Sequence, residues 1–163
     1  MLGLIKLNSH LIAQAHDFVS GLTPIVYAGK CESVFSSTIG QHLRHCIEHY
    51  DELLLAHTEC RDVNYETRPR DLLLETNPAE ALRRLSATTT ALGALGTTPS
   101  SLKILDTGCT CPSESSIERE LQYLVSHTVH HFAIIAIIAK HFDVAVPKNF
   151  GVAPSTIKHR ASA

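Results

Sequence analysis

Along the first twenty positions, apolar residues recur at intervals of three and four: Leu4, Leu7, Leu11, Ile12, Ala15, Phe18 and Val19. That is the period of a helix with one buried face, and it predicts a helix from Leu2 to about Gly21. Gly21 and Pro24 supply the stop. Ser33 to Ser37 form a polar lead-in to a second helix, from about Thr38 to His57, with the stripe Ile39, Leu43, Cys46, Ile47, Tyr50, Leu53 and Leu54. Cys60 to Leu72 is charged, contains Pro69 and carries no stripe, so it reads as a long connection crossing the bundle.

A third helix is announced by Asn77 as N-cap, Pro78 in the first turn and Glu80 at the capping-box position. It continues through Ala81, Leu82, Leu85, Thr88, Thr89 and Leu92 until Gly93 and Gly96 loosen it. Leu102 to Cys111 breaks the pattern, and Thr107-Gly108 suits the turn of a short hairpin that Pro112 ends. Ser115-Ser116-Ile117-Glu118 reads as a capping box for a fourth helix running to about Phe142. That helix is apolar almost all round after residue 132, as an interior helix is. The expected fold is all-α: a single domain over residues 1–163, built as a four-helix bundle with a long crossover connection.

Composition adds limits. The chain is 44% hydrophobic and 18% charged, with a formal net charge of -2. Those are globular values, and no basic field is present to attract nucleic acid. The local exception is Lys148, Lys158, His159 and Arg160 near the C-terminus, read as a solvated tail. Lys6 and Asn8-Ser9-His10 interrupt any signal-type apolar segment. The longest apolar run, Phe132 to Ala139, is short for a membrane helix. A cytoplasmic protein with no membrane association is the expectation. The five cysteines, Cys31, Cys46, Cys60, Cys109 and Cys111, are then expected as free thiols. Cys46 falls on the core stripe. Cys109-Thr-Cys111 would be half a zinc site without a partner pair.

The candidate chemistry lies in the eleven histidines. His127 and His131 are one helical turn apart and nearly in line, so their imidazoles can converge on one ion. They share a strip with Leu124 and Ile134 or Ile135, where an imidazole needs a partner. The competing possibilities are a pair of core histidines with protein partners, or one exposed and one buried histidine. His130 points off this strip and is expected at the surface or behind a ligand. The second helix offers His42, His45 and His49, and pattern alone does not choose among them. Three neutral nitrogen donors would suit Zn²⁺, Ni²⁺ or Fe²⁺ and leave positions for water, substrate or a thiolate.

At these residues the chain resembles the DinB-like superfamily, which includes thiol-dependent transferases of bacteria. Ser37-Thr38-Ile39-Gly40-Gln41-His42-Leu43-Arg44-His45 is similar to the family segment whose final histidine is a metal ligand. His127-Thr128-Val129-His130-His131-Phe132-Ala133-Ile134-Ile135 resembles the family's H-x-x-x-H segment, whose outer histidines are the other two. By helix order and spacing the resemblance extends over most of the chain. It implies His45, His127 and His131 as ligands of a divalent ion, commonly nickel or zinc, in a four-helix bundle that is often a homodimer. Some members transfer low-molecular-weight thiols of the bacillithiol or mycothiol kind to small electrophiles. Phe132-Ala133 departs from the family pattern, where a polar or glycine-containing pair is common, and this bears on the substrate side.

Tyr65, Arg68 and Arg70 in the crossover are candidates to orient an anionic substrate or thiol. The alternative is a solvated loop with local pairs such as Arg68 to Asp71. Glu48, Asp51 and Glu120 could support ligand imidazoles, although each also reads as a plain surface charge. Three functions compete: a metal-dependent transferase or hydrolase acting on a small molecule, a metal-binding bundle held together by its ion, and an interaction module of a stress response with no metal role.

Overall fold

Four long helices carry the architecture in the computed structural model, which describes residues 1–30, 36–96, 101–105, 108 and 111–162. They are α1 (Leu2–Ser20), α3 (Ile39–Glu59), α5 (Pro78–Ala94) and α6 (Ile117–His141). Two five-residue helices, α2 (Pro24–Ala28) and α4 (Leu72–Thr76), lie in the connections, and α7 (Pro154–Ala161) follows α6. A 3₁₀ turn spans Tyr65–Thr67. The strands β1 (Ser101–Ile104) and β2 (Ser113–Ser116) pair antiparallel, Ser101 opposite Ser116 and Ile104 opposite Ser113. The hairpin residue Thr107 and Cys109 of the half-site lie outside the described residues.

The long helices form a ring in which α1 packs on α5 and α6, and α3 packs on α6 and α5. Helix α6 runs antiparallel to α3, because His42 meets His131 while His45 meets His127. Helix α5 runs parallel to α3: Arg44 pairs with Glu75 just before α5, Asp51 with Arg84 halfway, and Leu54 and His57 share a groove with Ala91 and Ala94. Parallel neighbours in sequence need a return connection, and residues 60–77 provide it. The crossover expected at this loop is therefore present.

Local chemistry explains the boundaries. Thr38 and Gln41 cap α3 reciprocally, side chain to backbone in both directions. Cys60 ends it in the left-handed conformation, φ 53°. Asn77 caps α5 by accepting from the Ala79 and Glu80 amides, but Glu80 does not complete a box; its carboxylate holds Arg83. At α6 the cap is Ser116, which accepts from the Arg119 amide, and not Ser115. Ser115 stays in the strand and donates its hydroxyl proton to Glu120.

Gly40 lets the crossover close on α3. A Cβ there would lie 2.0 Å from the Glu75 carbonyl oxygen and 2.7 Å from the Tyr27 ring. The Tyr27 hydroxyl donates to the Leu74 carbonyl at 2.6 Å, pinning α2 to α4. Helix α6 is long and apolar enough to cross a membrane by length and composition alone. In the fold it packs along α1 and α3 with Leu121, Leu124, Phe132, Ile135 and Ile138 buried. The Phe132-Ala133 pair serves the C-terminal segment: Phe132 stacks on Phe150 at 4.4 Å, and Gly151 (φ 72°) lies against the Ala133 backbone.

Between the helices sits one closed polar cluster. Asn8 on α1 is fully buried; its amide donates to the Leu4 and Leu121 carbonyls and its oxygen accepts from the Tyr50 hydroxyl at 2.7 Å. Thr128 on α6 donates to that hydroxyl at 3.3 Å. Three helices are fixed in register by groups whose demands are met inside the cluster.

Candidate metal centre

The antiparallel packing of α3 and α6 turns two local repeats into a cluster. His42, His45 and His49 descend one helix as His131 and His127 ascend the other. One ring nitrogen each from His45, His127 and His131 lie within 4.8 Å of one another, the only such metal-holding group of three among the described residues. The Nε2 atoms of His45 and His127 are 3.1 Å apart. All three side chains are half-buried.

Two further histidines complete the cluster in different ways. His42 Nδ1 meets His131 Nδ1 at 2.9 Å, and His42 Nε2 meets the Ser37 hydroxyl at 2.7 Å. When His131 donates through Nδ1, its Nε2 lone pair is left to face a ligand. His49, buried, donates from Nδ1 to the His45 carbonyl at 2.7 Å, which leaves its Nε2 as an acceptor. Arg68 supplies the donor at 3.0 Å and reaches His45 Nδ1 at 3.3 Å with its other terminal nitrogen.

Burial is the first cause of the histidine acidities, and mutual repulsion adds to it. His45 is lowered to about 2, His49 and His131 to about 3, and His127 to about 4. His42 is lowered as well, by burial and then by His130. The Arg68 charge pushes His45, His49 and His127 the same way. At neutral pH the cluster is a set of neutral nitrogen donors.

A cavity of about 610 Å³ opens beside it, lined by His49, Tyr65, Arg68, Arg119, Glu120 and Tyr123 among others. The Tyr65 hydroxyl donates to the buried Glu120 carboxylate at 2.9 Å, and Ser115 donates to the other oxygen at 2.6 Å. The Tyr65 ring stacks on His49 at 5.0 Å.

Of the candidates in the crossover, Tyr65 and Arg68 line this cavity. Arg70 is exposed, adopts φ 52° and does not. Arg68 bonds His49, His45 and the Tyr65 carbonyl, not Asp71. Two carboxylates read as surface charges are interior ones. Glu48 is 1% exposed, accepts from Arg44 and the Asp71 amide, and lies 4.0 Å from Arg68 Nε. Glu120 is 6% exposed. Asp51, half-buried, pairs with Arg84 and supports no imidazole. His130 is exposed. Tyr123 and Arg119 went unnoticed in the sequence, although Tyr123 precedes His127 by one turn on the same helix.

The residues fit a divalent ion. Ligand nitrogens at the usual distances from one ion lie about 3.0–3.4 Å from each other, and His45 and His127 are 3.1 Å apart without one. The imidazoles are neutral, as histidine must be to bind a metal.

Residues 28–135 match the sequence profile of the DinB superfamily, and the chain belongs to that superfamily. Among curated proteins, FK506-binding protein 5 of Rhizopus delemar is 46% identical to this chain over 46 residues, which are 28% of this chain and 12% of that protein. The chain thus spans only a small part of that relative. No solved structure matches the chain.

Proposed function

We propose that this protein holds one divalent metal ion, nickel or zinc, on His45, His127 and His131 and is an enzyme acting on a small molecule in the adjoining cavity. The observation that carries this is three neutral imidazoles with ring nitrogens within 4.8 Å of one another, next to a cavity lined by their neighbours His49, Tyr65 and Arg68. When bound, the ion would supply Lewis acidity, lowering the pKa of a small thiol or a water aimed at an electrophile.

The chain's own residues have separable tasks. His42, backed by Ser37, sets the tautomer of His131 and is a positioning residue. His49 lies outside the group of three and directs Nε2 toward Arg68, so it is not among the residues that would hold the ion. Tyr65, tethered to Glu120, and Arg68 present a phenol and a guanidinium to a ligand in the cavity. Arg68 suits a substrate or thiol that carries a carboxylate.

The test is elemental analysis of tag-free protein beside His127→Ala, followed by incubation with small thiols and electrophiles. About one equivalent of nickel or zinc in the parent and none in the variant supports the site. Absence of metal from both, even after zinc or nickel is added, overturns it. Spectra of the cobalt-substituted protein that show four protein ligands would move the assignment to a closed, structural ion.

A further inference from the structure

Arg68 reaches the histidine cluster from the crossover loop and bonds two imidazoles at once: His49 Nε2 at 3.0 Å and His45 Nδ1 at 3.3 Å. A guanidinium only donates and keeps its charge in a protein. Both nitrogens must therefore be acceptors. A neutral imidazole has one N–H and one lone pair, so His45 carries its proton on Nε2, the atom that faces His127 Nε2 at 3.1 Å. The His127 lone pair is then used up as acceptor, and its proton sits on Nδ1, which is buried without a partner. His45 has no lone pair toward the cluster and that of His127 is occupied, whereas three are needed to hold an ion.

From this geometry we infer that Arg68 holds the metal-free site shut, and that metal binding requires it to withdraw from His45. The inference rests on the metal reading of the site. Arg68 has donor capacity to use elsewhere: its Nε is buried without a hydrogen-bond partner. Withdrawal also leaves the guanidinium at the cavity wall, released from His45. A carboxylate in the cavity would hold it there. Metal and carboxylate then bind cooperatively, each raising the affinity for the other by the same factor. No bond to carbon, sulfur or oxygen changes in this switch; only hydrogen bonds and one imidazole tautomer do.

Two measurements test it. The first needs no variant: long-range proton–nitrogen spectra of the metal-free protein report each histidine tautomer. Protonation of His45 at Nε2 and His49 at Nδ1 is expected, and His45 protonated at Nδ1 overturns the inference. The second is zinc affinity, by competition with a chromophoric chelator, for the parent and Arg68→Met, with and without acetate. The variant should bind zinc about tenfold or more tightly, within the usual range of such couplings. Acetate should tighten binding in the parent only. Equal or weaker binding by Arg68→Met, in a parent that does bind zinc, overturns the inference and leaves the metal site standing. Failure of both proteins to bind zinc or nickel overturns the metal site and this inference with it. An acetate effect that survives in the variant assigns the acetate to the ion and removes the cooperativity.

Discussion

Two polar clusters lie along α3 and α6, and they differ in how their hydrogen bonds end. The Asn8–Tyr50–Thr128 cluster closes on itself: amide to carbonyls, phenol to amide oxygen, threonine to phenol. The histidine cluster does not. Nitrogen faces nitrogen at 2.9 and 3.1 Å, and His127 Nδ1 has no partner. A closed network contributes register and stability. An open one retains donor capacity that packing leaves unspent, which is what a ligand site requires.

The largest effect that would break this comparison is on metal content. His127→Ala should fall from about one bound ion to none, as measured by elemental analysis, whereas Tyr50→Phe should keep its ion. Acidification comes next. His45, His49, His127 and His131 of the open cluster have folded pKa values below the ordinary 6.5, at about 2 to 4. Between 6.5 and those values the unfolded chain binds more protons, so stability of the metal-free protein should fall as pH drops below about 6.5. Denaturant midpoints across that range read it, and a flat profile would contradict the burial of neutral imidazoles.

A finer cut is His42→Ala. Loss of the bond to His131 should weaken metal binding about 10–100-fold while still allowing saturation at high metal. Chelator competition measures it, and His42→Gln should recover part of the loss by accepting from His131. The smallest effect should be Tyr50→Phe in the closed cluster, roughly 1–2 kcal/mol of unfolding free energy. A metal-binding defect in that variant would erase the distinction between the two clusters.

The local features of the fold were legible along the chain. Stripes at three and four located the long helices, Asn77 marked the start of α5, and the break at Leu102 marked a hairpin, but its second strand is Ser113–Ser116, past Pro112, where the hairpin was expected to end. Errors arose where a polar side chain took a partner other than the one its local motif suggested. Glu80 takes Arg83, and Ser115 takes Glu120. Asn8 lies on the buried face of α1 because Tyr50 and the Leu121 carbonyl wait there. Glu48 looks like a surface charge until Arg44 and the Asp71 amide are brought to it.

The same division runs through the candidate site. The sequence by itself determined that His127 and His131 share a helix face, that a second helix offers His42, His45 and His49, and that a long crossover follows it. Each follows from the 3.6-residue turn and from chain-local chemistry. Only the tertiary structure decided that His45 faces His127, that His42 backs His131, that Arg68 and not Arg70 reaches the imidazoles, and that Glu120 anchors Tyr65. Those facts depend on the direction of α6 against α3 and on where the crossover is pinned. Both are set by packing between residues far apart in the chain, such as Gly40 with Glu75 and His42 with His131, which no local pattern encodes.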